Sequence, residues 1–128
     1  MPVTLARIDA AARGRAALVQ RLLDLGIDPS QRYGHDLTAL MWTAGHPDEV
    51  PEAAAVAVAS LLLDRGVAVD DADDRGRTAL MIAAEQGHEQ LVDKLLAAGA
   101  VSDRRDLEGK TAFDLAADTT RASLSTAR

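Results

Sequence analysis

"DDRGRTALMIAAEQGHEQLVDKLLAAGA", residues 73–100, holds two short apolar segments separated and bounded by three glycines. Gly76 stands in a polar turn, where a positive φ is needed and a Cβ would oppose it. Thr78 follows at the place where a hydroxyl can cap a helix start. "ALMIAAEQ" then supplies a short helix of small residues, which lets neighbouring backbones approach closely. Gly87 ends it. In "HEQLVDKLLAA" the residues Leu91, Val92, Leu95 and Leu96 fall on one face of a second helix. Gly99 closes that helix in the left-handed conformation. The polar "VSDRRDLEGK" makes an exposed finger before the cycle restarts.

The cycle is periodic. Gly66 and Gly99 are 33 residues apart, as are Gly76 and Gly109, and Thr78 and Thr111. The same marks recur earlier at a spacing of 40, from Gly26 to Gly66 and from Thr38 to Thr78. Each closing glycine precedes the next Thr by 12 residues, at 26/38, 66/78 and 99/111. Independent marks agreeing on one period of this length indicate an array of stacked helix pairs. The longer spacing places seven extra residues within "GHPDEVPEAAAVAVASLLLDRG", residues 45–66.

The unit resembles the ankyrin repeat, whose pattern runs D-x-x-G-x-T-P-L-H-x-A-A-x-x-G-H…V-x-x-L-L-x-x-G-A. The likeness extends over nearly the whole chain and is strongest at 73–100. It departs in several places: the Pro position is Ala39, Ala79 and Ala112, the His position is Met41, Met81 and Asp114, and the finger glycine of the second unit is Asp36. Losing the hydrogen bonds of that motif is expected to loosen the fingers. The resemblance implies an all-α solenoid, a single ankyrin-repeat domain over 1–128 with units near 1–32, 33–72, 73–105 and 106–128. Helix pairs are expected at 4–13 with 16–25, 38–44 with 51–64 and 78–86 with 89–98, then one helix near 111–117. After it, "TTRASLSTAR" offers Leu124 as its one apolar contact. A frayed end, unprotected over 119–128, is expected there, or a surface covered by something else.

Composition agrees with thin helical layers. Apolar residues make up 48% of the chain, yet the aromatics are Tyr33, Trp42 and Phe113 alone. The net charge of −6 is concentrated. Residues 35–74 carry nine acids and one Arg, an acidic centre that disfavours a nucleic-acid partner. No run approaches the roughly 18 apolar residues of a membrane span. The absence of cysteine removes disulfides and thiol chemistry. A cytoplasmic protein is the expectation.

Catalysis and metal binding find little support. His88 falls on the structural Gly-His turn. His46, with Asp48, Glu49 and Glu52 near it, lacks a second His or Cys at ligand spacing. In "DDADD", residues 70–74, Asp70 and Asp73 are expected to bond local backbone. No nucleophile has an evident base, so no catalytic residue, metal or cofactor is expected.

Binding of another protein is what the resemblance implies, through finger tips and inner helices. Carried over by position, the first finger offers Arg32, His35 and Leu37, and the second Asp74, Arg75 and Arg77. The third offers Arg105, Leu107, Glu108 and Lys110, while Glu85 and Gln86 end an inner helix. Arg75 and Arg105 are planar donors suited to carboxylates. Trp42 holds the place of Ile82 and Leu115, which reads as core, with a partly exposed anchoring ring as the alternative. The expected role is an accessory or inhibitory partner of another protein. The alternative is a structural unit stacking end to end through its incomplete last repeat, giving a monomer or a weak dimer.

The insertion reads as a lengthened outer helix preceded by an acidic loop. Pro51 suits a first helical turn, Glu52 suits the positive helix start, and Ala54, Val58, Leu61 and Leu62 form an apolar face. Asp48, Glu49 and Glu52 together suggest a partner contact. Deleting 47–53 joins His46 to Ala54, restores the 33-residue spacing, and is expected to leave folding intact while affinity falls.

Overall fold

The structure, a computed structural model, describes residues 16–28, 30–31, 34, 38–45, 52–117, 120–121 and 123–124. The expected helix at 4–13 lies outside them. Six helices are described: α1 (Ala16–Asp24), α2 (Ala39–Ala44), α3 (Glu52–Asp64), α4 (Ala79–Gln86), α5 (Glu89–Ala97) and α6 (Ala112–Leu115). They form two rows. The inner helices α2, α4 and α6 pack in succession, as do the outer helices α1, α3 and α5, and each of the pairs α2–α3 and α4–α5 packs across. Among the described residues the one β feature is an isolated bridge between Ala72 and Thr78 at a finger base.

The repeated threonines start the inner helices. Thr38 accepts a hydrogen bond from the Met41 N–H at 3.3 Å and Thr78 from that of Met81 at 3.4 Å. Thr111 goes further: its hydroxyl accepts from the Asp114 N–H at 3.2 Å, and the Asp114 carboxylate accepts from the Thr111 N–H at 3.0 Å. That reciprocal capping box satisfies two otherwise orphaned donors. So the Asp that replaces the family's His strengthens its own helix start.

The outer helix α5 buries the face expected of it, whereas on α3 the buried face is shifted around Val58 and Leu62. Ala55, Val58, Ala59 and Leu62 of α3 are buried, whereas Leu61 is half-buried. On α5, Leu91, Val92 and Leu95 are buried and Leu96 half-buried. In the inner row Ala79, Ala83 and Ala84 of α4 are all buried beside the larger Leu80 and Met81.

Adjacent units are joined by polar bonds that the repeat pattern does not announce. Asp70, expected to bond local backbone, reaches the next unit. Its carboxylate accepts from the Val101 N–H there at 2.9 Å, and its carbonyl accepts from Arg104 at 2.6 Å. One finger is tied to the next where the Leu107 N–H donates to the Arg75 carbonyl at 3.0 Å. Gly76 permits that approach. Its φ is +76°, and a Cβ there would lie 3.0 Å from the Leu107 nitrogen.

The C-terminal end departs from the frayed tail expected of it. Residues 120, 121, 123 and 124 are helical, Thr120 is fully buried, and Leu124 is 1% exposed within the core. The Thr120 hydroxyl donates to the Ala84 carbonyl at 2.8 Å, and the Ala117 N–H donates to the same oxygen at 3.0 Å. Arg121 lies over the Phe113 ring, 5.7 Å from its centre. The last unit thus covers α4 with a shortened second segment. One well-placed leucine does there what several apolar positions do in the units before it.

Candidate functional site

A groove of about 440 Å³ opens between α2, α4 and the second finger, and its size falls in the usual range for binding pockets. Helix α2 contributes Met41, Trp42 and Gly45; α4 contributes Ile82, Glu85 and Gln86. The finger contributes Asp73, Asp74, Arg75 and Arg77. Six residues expected to touch a partner therefore share one surface: Trp42, Asp74, Arg75, Arg77, Glu85 and Gln86.

Trp42 does not take the core role its alignment with Ile82 and Leu115 suggests. It is 39% exposed, against 2% for its neighbour Met41. The reason is local. Ile82 and Leu115 are themselves half-buried, so this repeat position is not fully enclosed in the other units either, and Ile82 lines the same groove. Gly45 widens the opening further. It stands where the next unit has Glu85, and a Cβ on it would come within 3.1 Å of Ile82 Cγ2. Met41, Gly45, Ile82 and Asp73 were not singled out from the sequence as groove residues. The contrast of Gly45 with Glu85 at the same repeat position was the available signal.

Arg77 is less of a free finger contact than its place suggests. It is 9% exposed and donates to Glu85 Oε1 at 2.9 Å, with Asp106 Oδ2 at 3.6 Å from its Nε. One guanidinium thus bridges a finger, the end of α4 and the following finger. The Asp106 carboxylate also accepts from the Lys110 N–H at 3.0 Å and the Glu108 N–H at 2.8 Å. Those amides, the Lys110 one foremost, hold its carboxyl below the ordinary value of 3.8 with help from Arg77, although burial pulls the other way. A carboxyl whose folded value is lowered contributes stability above its unfolded value. That contribution is lost as pH falls through the folded value. Asp106→Asn is accordingly expected to lower the melting temperature near neutrality and to flatten its decline between about pH 5 and pH 2. A variant whose melting curve parallels the parent's throughout would refute this assignment.

The remaining expected contacts divide. Leu107, Glu108, Lys110 and Arg105 are exposed on the third finger, Leu107 at 79%. Arg105 donates to the Gly109 carbonyl at 2.7 Å and lines a second depression with Val101 and Asp103. Arg32, His35, Leu37, Asp48 and Glu49 lie outside the described residues, as does His46.

Glu52 is placed unexpectedly. It begins α3, yet its Oε2 accepts from the Gln90 N–H at 2.7 Å and the Leu91 N–H at 3.1 Å. These are N–H groups of the first turn of α5, whose own cap residue, His88, makes no side-chain capping bond. The acid expected to serve its own helix, or a partner, caps the next outer helix instead. Among the described residues no group of three or more His, Asp or Glu could hold a metal ion. Nor is any helix among them long and apolar enough to cross a membrane.

Comparison with known proteins agrees with the architecture. A family profile described as ankyrin repeats (3 copies) matches residues 8–106 and 51–124. The Caenorhabditis elegans homolog of transient receptor potential cation channel subfamily A member 1 is 33% identical over 109 residues, 85% of this chain and 8% of that protein. Human ankyrin repeat domain-containing protein 63 is 35% identical over 107 residues, 81% of this chain and 27% of the relative. Protein LHCP TRANSLOCATION DEFECT of Oryza sativa subsp. indica is 50% identical over 42 residues, 33% of this chain and 24% of the relative. The chain spans between 8% and 27% of the length of these relatives.

Proposed function

This chain belongs to the ankyrin repeat family, and from that membership we propose that it is a non-catalytic binding module, an accessory or inhibitory partner of another protein, gripping it through the Trp42 groove. Ankyrin repeats are protein-interaction modules, which supports the class. The observation that carries the surface is Trp42 itself, a large ring 39% exposed at the mouth of a groove between two inner helices and a finger. Tryptophans so placed dominate the energetics of many interfaces, because they bury much apolar area at little entropic cost. A cysteine-free chain fits a cytoplasmic setting.

The experiment is to recover a partner from the native host with the immobilised chain, then measure its affinity for Trp42→Ala. The expected loss is at least about tenfold, with helical content and melting temperature nearly unchanged, since a residue this exposed adds little to the core. Equal affinity for a folded Trp42→Ala would place the binding face elsewhere.

A further inference from the structure

The groove is lined by three acids and two Arg, so its formal charge has the sign of the chain's. The whole chain carries −6, which by itself favours a basic ligand. Within the groove, however, the acids are committed. Glu85 is paired with Arg77, Asp73 accepts from the Arg75 and Arg77 N–H groups at 2.9 Å each, and Asp74 also has a partner. Arg77 is spent between Glu85 and Asp106. Arg75 is different: its side chain is exposed, and its guanidinium makes neither a hydrogen bond nor an ion pair among the described residues, although its backbone is bonded on both sides. It shares the groove with Trp42, and its carbonyl is held by the N–H of exposed Leu107. A fixed backbone therefore presents a fork of unused N–H donors beside an apolar ring.

We propose that the groove takes an acidic peptide segment of the partner, setting an Asp or Glu carboxylate on Arg75 and a bulky apolar side chain on the Trp42 ring. The assignment rests on the groove being the binding face. A guanidinium matches a carboxylate in two parallel bonds, and such charge-assisted pairs are short and directional. A lysine or arginine in the same place would meet the Arg75 charge, with the Asp73 and Glu85 carboxylates already engaged. The exposed Leu107 offers a second apolar contact beyond Arg75 for a segment that continues along the fingers.

Trp42 is the single tryptophan, so its emission reports occupancy directly. The probes are capped nonapeptides with Glu at the centre and Leu or Phe at each flanking position in turn, beside matched sets carrying Gln or Lys at the centre. Sodium acetate serves as a further control. At least one Glu peptide should shift the emission and bind tenfold or more tighter than its Gln counterpart. Arg75→Gln should erase that difference while leaving the melting temperature in place. Tighter binding of the Lys set, or a Glu preference that survives Arg75→Gln, would overturn the carboxylate assignment and leave the groove reading standing. So would silence from every peptide while a partner recovered from the host still shifts Trp42. Acetate reproducing the shift at equal concentration would overturn the peptide. A host partner that binds without altering Trp42 emission would sink the groove reading itself.

Discussion

Leu124→Ala is expected to destabilise the chain by about 2–5 kcal/mol, the range for truncating a buried leucine in a core that cannot collapse around the gap. The residue is 1% exposed and belongs to the same apolar cluster as Leu80, Met81 and Leu95. Its segment is anchored by the Thr120 hydroxyl on the Ala84 carbonyl, so the side chain has little freedom to follow a relaxing neighbour. Urea denaturation of the parent and the variant measures the loss. Amide exchange supplies an independent reading: residues 120, 121 and 124 should be protected in the parent and released in the variant. A change under about 0.5 kcal/mol, the size usual for surface sites, would mean that this end frays after all.

Residues 120, 121, 123 and 124 are helical rather than frayed for a definable reason. Counting apolar positions in "TTRASLSTAR" treats each unit as needing the same number of leucines. A terminal unit covers one neighbour instead of two, and a threonine that bonds a buried carbonyl of the preceding inner helix supplies part of the closure. Nothing in a lone Thr signals such a bond.

Much of the rest was legible because local chemistry and global fold agree. The glycine and threonine marks located α1 to α6 to within about two residues, the ordinary uncertainty of helix ends, but gave no sign of the helical residues 120, 121, 123 and 124. Each mark acts within a few residues of itself, through a positive φ or a capping hydroxyl. The groove was half legible. Trp42, Arg75 and Glu85 could be placed on one side of the array by repeat position. Which of their charges are already paired could not, since Arg77 reaches Asp106 across 29 positions in the chain and Glu85 across eight. Side-chain bonds between units have no period. Glu52 is the sharpest case, because its partners lie 38 and 39 residues away.

That same acid changes what the seven extra residues are expected to do. From the spacing alone, removing 47–53 restores the regular period and leaves the fold untouched. The deletion, however, removes Glu52, and with it the side chain that, among the described residues, bonds the Gln90 and Leu91 N–H groups at the start of α5. Losing a capping acceptor costs about 0.5–2 kcal/mol, and the negative charge near a helix start adds up to about 1 kcal/mol. Leu91 is a buried residue, so its freed N–H carries a desolvation penalty as well. The expected total for the deletion is about 2–3 kcal/mol. Two variants separate the causes. Glu52→Ala keeps the insertion and should reproduce most of the destabilisation. Glu52→Gln keeps an acceptor without the charge and should recover a good part of it. If Glu52→Ala is as stable as the parent while the deletion is not, the cap is worthless and the loss comes from shortening α3. If both are stable, the insertion is a surface appendage and its acids are available for a partner, as the spacing first suggested. With the cap in place, an extra loop becomes a brace: the second unit reaches forward to start a helix of the third, at a position where that helix has no side-chain cap of its own.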